Sequence, residues 1–168
     1  MKRKPLSKVI SKTGKQRWEE IERELPRLLK ELWNAPGAPR KEHERPVPSD
    51  PGLYLFLEGG IPVYVGQTRN LNSRLGSHCR PSGSHNSASF AFLKAKKRYE
   101  KKHGDWQGTR KDLQNEPEFA DLFKKAKEEV EGMAVRFCLC DDPELRTVFE
   151  VYAAELLDTK EFNSFETH

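Results

Sequence analysis

Residues 52–78 constrain this chain more than any other stretch. Leu53–Leu57 and Ile61–Val65 are short runs of aliphatic and aromatic residues, and Glu58-Gly59-Gly60 between them is a hairpin signal. The pattern predicts two antiparallel strands, the second ended by Gly66. Asn70 then offers an N-cap for a helix with Leu71 in its first turn. Arg74 and His78 lie four residues apart on that helix, so they share a face and are expected to look out together. Two tyrosines, an arginine and a histidine thus fall within one unit able to bind and act on a phosphate.

A chain of 168 residues is long enough for one domain with a real core plus an appendage. Hydrophobic residues make up 35% and charged residues 33%, so much of the chain must lie at the surface or in extended arms. No run of about 18 apolar residues occurs, which excludes a helical membrane span. Cys79, Cys138 and Cys140 form no C-x-x-C pair and Met1-Lys2-Arg3-Lys4 leads to no apolar run, so a reducing, cytoplasmic setting is expected.

Charge is unevenly distributed. Residues 69–111 carry eleven Lys/Arg against two Asp/Glu, whereas 112–168 carry six against fifteen. Basic clusters attract polyanions because phosphates neutralised by Lys/Arg release counterions. A solvated basic face is the bland alternative.

Residues 1–14 are basic and polar and are expected to lack fixed structure. From Lys15 to Trp33, the residues Trp18, Ile21, Leu25, Leu28, Leu29 and Leu32 recur at helical spacing, with Pro26 expected to kink or divide the helix. Residues 34–51 hold five prolines and read as a linker or strap. After a polar loop over 79–89, Phe90–Lys102 reads as a basic helix. Pro117 in the first turn of the next helix precedes a buried stripe of Phe119, Leu122, Phe123, Ala126 and Val130. Met133–Cys140 alternates and reads as a third strand. Asp142 and Pro143 then open a helix through about Asp158, with Leu145, Val148, Phe149, Tyr152 and Leu156 as its core face. Glu150 falls to one side, beside Ala153, Ala154 and Leu157, where small neighbours leave room for a metal ion or a phosphate. An exposed helix glutamate is the ordinary alternative.

Gly52-Leu53-Tyr54 followed by Tyr64-Val65-Gly66 resembles the paired tripeptides of the GIY-YIG nuclease superfamily, which includes homing endonucleases, the N-terminal nuclease of bacterial excision repair and some restriction enzymes. The resemblance covers roughly 52–78 and 133–165. In it, Arg74 stands at the family's helix arginine, His78 at a histidine or tyrosine one turn later, Glu150 at the metal-binding glutamate and Asn163 at a terminal asparagine. It implies an α+β fold with a small three-stranded antiparallel sheet flanked by helices. Residues 1–51 would then be a basic N-terminal arm with helix and Pro-rich linker, and 52–168 a nuclease domain carrying a basic helical insertion at about 79–116.

The implied chemistry is phosphodiester hydrolysis with one divalent cation, Mg²⁺ or Mn²⁺, held by Glu150. Arg74 would clamp the scissile phosphate through its planar fork. Tyr54 is the implied general base, and its ordinary pKa of about 10 requires a nearby cation, Arg74 or the hydrated metal, to favour the phenolate. His78 would accept that proton or orient the phenol, Tyr64 would position water or phosphate, and Asn163 would tether the C-terminal segment.

Each residue has a plainer reading. Tyr54 and Tyr64 could be strand aromatics, and Cys138 and Cys140 core residues. His78, His85 and Cys79 match no zinc spacing. Lys94, Lys96, Lys97, Arg98, Lys101 and Lys102, with Arg69, Arg80, Arg110 and Lys111, form either a solvated basic surface or one that tracks duplex DNA. The expected function is a divalent-metal-dependent DNA endonuclease, a restriction-type or stand-alone member of the superfamily. The alternative is a DNA-binding or DNA-repair accessory protein of this fold with weak or structure-specific nicking. One site cuts one strand, so a double-strand break would take a homodimer or sequential nicks.

Overall fold

The computed structural model describes residues 11–163 and 165. The first ten residues, expected to lack fixed structure, lie outside them, as does Ser164. Residues 12–14 belong instead to the first helix, whose N-cap Ser11 accepts a hydrogen bond from the Gly14 N–H.

The strand Gly52–Glu58 (β1) is apolar at five consecutive positions because both of its faces are covered. It lies between β2 (Ile61–Thr68) and β3 (Ala134–Leu139), antiparallel to each. Leu53, Leu55 and Leu57 point to one face, which is covered by α1 (Lys12–Asn34) and α6 (Pro143–Leu156). Tyr54 and Phe56 point to the other, among residues of α2 (Leu71–Cys79), α3 (Ser89–His103) and α5 (Pro117–Gly132). A short helix, α4 (Arg110–Gln114), precedes α5. The protein is therefore α+β, with a three-stranded antiparallel sheet flanked by helices, as the resemblance implies.

Gly59 and Gly60 hold φ at +58° and +86°, a turn conformation that L side chains resist and that joins β1 to β2 tightly. Gly66 does not end β2, which runs on to Thr68 and pairs Gly66 with Tyr54. Asn70 caps α2 through the Ser73 N–H, and Asp142 caps α6 through the Leu145 N–H with Pro143 in its first turn.

Four further expectations change in three dimensions. Pro26 lies inside a single helix. An internal proline costs a helix about 3 kcal/mol. Ile21, Leu25, Leu28 and Leu32 are all buried against the sheet face, and at roughly 1.5–3 kcal/mol per side chain their burial outweighs that cost. The arm is thus built into the core. Second, α4 is an added turn, closed by a reciprocal capping box between Thr109 and Asp112. Third, the core face of α6 is rotated from the expected stripe: Leu156 is 59% exposed, while Ala153 and Ala154 are fully buried. Those alanines let the helix approach the sheet. Fourth, Arg74 and His78 share a face as expected, but they turn inward onto β1, and His78 is fully buried.

The strap over 35–51 crosses the outside of the sheet. Val135 N–H donates to Ala38 O at 2.9 Å, and His43 Nε2 donates to Val135 O at 2.9 Å. Pro48 O and Asp50 O accept from Asn72 N–H and Leu71 N–H, which fixes the start of α2.

Candidate active site

Tyr54 is the hub of the site. It sits on the central strand, 1% exposed, and its hydroxyl meets two groups from α2. Arg74 Nε donates to Tyr54 Oη at 3.2 Å, and His78 Nε2 lies 3.1 Å from the same oxygen. Which partner donates in the Tyr54–His78 bond follows the histidine tautomer. The other ring nitrogen, His78 Nδ1, is buried without a partner among the described residues.

Backbone geometry explains both tripeptides. A Cβ on Gly66 would stand 2.3 Å from Tyr54 Cζ and 2.4 Å from its hydroxyl, so only glycine lets the ring cross β2. A Cβ on Gly52 would meet Cys138 O of β3 at 2.4 Å and Leu71 Cδ1 of α2 at 2.7 Å. Tyr64 lies diagonally across from Tyr54 on the same face, with ring centroids 6.3 Å apart. Its own ring stacks on Phe90 of α3 at 4.7 Å and 13°.

Arg74 is held at all three guanidinium nitrogens. Besides Tyr54, it donates from Nη1 to Ser87 O at 3.3 Å and from Nη2 to Ser89 Oγ at 3.0 Å. Neither serine carried a signal in the sequence; they belong to a polar loop and the first position of α3.

Electrostatics divide these groups by charge. Burial and Tyr64 push the Tyr54 phenol above its ordinary value, and Arg74 only partly offsets them. Burial and Arg74 push His78 down to about 3, so its ring is neutral near pH 7. Burial works against the charge of Arg74, but Tyr54 and Tyr64 hold its pKa above the usual value. Glu150, half-buried on α6, is pushed up to about 7 by burial, with Arg74 acting in the opposite direction. Glu150 also raises the Tyr54 phenol, so α6 brings the carboxylate within electrostatic range of α2 and β1.

The sequence of this chain has local relatives. A short stretch of it is similar to UvrABC system protein C. The match to that protein of Deinococcus radiodurans is 43% identical over 37 residues, covering 22% of this chain and 6% of that protein. Those of Thermotoga petrophila and Aquifex aeolicus are 44% identical over 34 residues and 46% over 35, covering 20% and 21% of this chain and again 6% of each relative. The chain thus spans about 6% of the length of the curated relatives it matches. No family model and no solved structure matches it.

Asn163 is placed beside the site rather than in it. Its Oδ1 accepts from Val65 N–H at 3.0 Å and from Thr159 Oγ1 at 2.9 Å, while Nδ2 donates to Val65 O at 2.7 Å. The side chain therefore acts as a strand partner for β2 and pins the C-terminal segment. Phe162 follows the same path, edge-on to Phe90 at 5.4 Å.

Among the described residues no group of three or more His, Cys, Asp and Glu could enclose a metal ion. Glu150 is nevertheless a half-buried carboxylate without a hydrogen-bond or ion-pair partner among them. A magnesium-type ion takes one or two carboxylates and completes its shell with water and substrate phosphate, so a single unpaired oxygen ligand fits it.

The basic helix α3 differs most from its sequence reading. Lys94 is only 5% exposed, and its ammonium donates to both oxygens of Glu58 at 3.0 and 3.1 Å. Arg98 pairs bidentately with Glu129 at 2.7 Å for each bond. Lys96 pairs with Glu100 at 3.3 Å, Lys102 with Glu118 at 2.6 Å, and Lys97 with Glu161. Of the six expected backbone-tracking cations on α3, only Lys101 has no acidic partner among the described residues. Much of the basic middle of the sequence is neutralised in space by the acidic C-terminal third. Arg69, Arg80, Arg110 and Lys111 have no such pairing among the described residues. Arg110 lies over the Phe92 ring at 4.8 Å, and its pKa is lowered by burial and raised by Tyr64, which puts its charge within reach of the site.

Proposed function

We propose that this chain is a DNA endonuclease that hydrolyses phosphodiester bonds with one divalent cation at Glu150. The observation that carries the reading is the convergence of Tyr54, Tyr64, Arg74 and His78 on one sheet face with Glu150 in electrostatic range. The local similarity to UvrABC system protein C supports nucleic acid as the substrate class.

Arg74 holds its guanidinium at the mouth of the site, fixed by Tyr54, Ser87 and Ser89, and supplies positive charge to a scissile phosphate without having to reorganise. Tyr54 and Tyr64 present hydroxyls that orient the attacking water and a phosphate oxygen. His78 stays neutral and fixes the Tyr54 hydroxyl through Nε2; its low pKa makes it a poor store for a proton. Glu150 would hold the divalent cation, which would supply positive charge toward the phosphate oxygens and offset the carboxylate that raises the Tyr54 phenol. Tyr54 as general base therefore depends on the state of Glu150.

The second reading, a DNA-binding or repair accessory protein with weak nicking, is favoured by the same electrostatics, which keep Tyr54 protonated, and by the internal commitment of all three Arg74 nitrogens. A supercoiled-plasmid assay with MgCl₂ or EDTA separates the two. The nuclease reading expects Mg²⁺-dependent nicking that Glu150→Gln and Arg74→Ala each reduce at least 100-fold. Binding without Mg²⁺-dependent nicking would favour the accessory reading. Nicking unaffected by Glu150→Gln would refute the assigned site.

A further inference from the structure

Gly76 lies between Arg74 and His78 in sequence, two residues from each. At 100° per residue it therefore faces the opposite side of α2. Two arginines converge on that side. The Nη2 atoms of Arg40, from the strap, and Arg80, at the C-cap of α2, each stand 3.5 Å from the point where Gly76 would carry a Cβ, and Arg40 Cζ stands at 3.7 Å. The two guanidinium nitrogens are thus within twice that first distance of each other.

Like charges so close repel, and the protein does not relieve them. Neither arginine pairs with a carboxylate among the described residues. Arg40 donates from Nη2 to the neutral Asn72 Oδ1 at 2.5 Å, and its Nε is buried without a partner. Glu131, the acidic group that acts on neighbouring Cys79, is already bound by Lys41 and pairs with neither arginine. On α3, by contrast, five of six cations have acids. Two convergent guanidinium forks with unused donors are the complement of a phosphate, which accepts several such bonds at once.

We infer that Arg40 and Arg80 form a phosphate-binding site on the face of α2 turned away from β1, and that it holds a backbone phosphate of the nucleic acid near the scissile one. This rests on the nuclease reading above. A helix with its side chains is about 10 Å thick. At about 3.4 Å of rise per nucleotide, a backbone covers that distance in roughly three nucleotides. One short helix then grips the strand at two places, Arg74 on its inner face and the arginine pair on its outer face.

The test is binding of a fluorescein-labelled 20-base-pair duplex in EDTA, followed by anisotropy across a salt series. The proteins are wild type, Arg40→Gln, Arg80→Gln, the double variant, and Lys30→Gln on α1 as a control for loss of one surface charge. Each arginine variant is expected to lower affinity about tenfold near 0.1 M salt and to reduce the slope of log K against log salt by about one. The double variant should lose little more than either single, because a bridged phosphate needs both forks. A further variant, Gly76→Glu, places a carboxylate between the two guanidinium groups. It is expected to raise the melting temperature and yet lose the same affinity, which misfolding cannot mimic. Losses no larger than that of Lys30→Gln, or losses that simply add in the double variant, overturn the inference while leaving the nuclease reading intact. A wild type that neither binds nor nicks the duplex overturns both.

Discussion

Glu150→Gln removes one ionisable carboxyl and keeps its shape, so it isolates the cost of charging that position. In the folded chain the group titrates at about 7 instead of 4.5. Below pH 4.5 it is protonated in both the folded and unfolded chain, and its ionisation costs nothing. Between the two values the unfolded chain has released its proton and the folded chain has not. Stability then falls as pH rises, by about 1.4 kcal/mol per pH unit. Above pH 7 both states are ionised and the loss levels off at roughly 3 kcal/mol. The glutamine variant has no such limb. Urea unfolding of the two proteins at half-unit steps from pH 5 to 8 should give a stability gap that is small at pH 5 and grows to roughly 3 kcal/mol, variant over wild type, at pH 8. Other groups titrate in both proteins and cancel in the difference. Adding 10 mM MgCl₂ at pH 8 should then stabilise wild type and leave the variant unmoved, because a ligand bound only by the folded state raises its stability. Parallel stability curves would refute the view of Glu150 as a strained, unpaired carboxylate. An equal Mg²⁺ response in both proteins would place the cation elsewhere.

Three other substitutions test the surroundings of the site. Asn163→Ala leaves the Val65 N–H and C=O without their side-chain partners and should cost about 2–4 kcal/mol by denaturant midpoint, at one to two per buried group. Gly66→Ala puts a methyl into the Tyr54 ring and should cost about 1–3 kcal/mol, with a changed near-UV circular dichroism signal from the displaced tyrosine. Arg98→Gln should leave duplex affinity within about twofold of wild type, because Glu129 already neutralises that charge, whereas Arg110→Gln, without an acidic partner, should weaken binding at low salt more than at high salt.

What the sequence made legible was local. The hairpin, the Asn70 and Asp142 caps and the third strand follow from residues within a few positions of one another, and each is present. Gly52 and Gly66 were visible as letters of a motif, but the reason for them, a ring and a carbonyl from other strands, exists only after pairing. Most of the failures concern partners distant along the chain; α4 is the exception, because the capping box between Thr109 and Asp112 that closes it is local. Lys94 looked like a surface cation because Glu58, 36 residues earlier, could not be seen to reach it. Pro26 looked like a break because the apolar face that outweighs it lies on β1. Ser87 and Ser89 had no periodicity or motif to mark them, and only the position of Arg74 gives them a role.

The sheet is small, and both of its outer strands would ordinarily invite another strand to join. On β2, the carboxamide of Asn163 occupies the backbone groups of Val65. On β3, Ala38 and His43 occupy those of Val135. The plug on β2 sits near the middle of that strand and the plug on β3 near its start, and each interrupts the run of free backbone groups that a second copy of the chain would need for a continuous ladder. The same two plugs also guard the exposed backbone against the cross-strand stacking that leads to fibres.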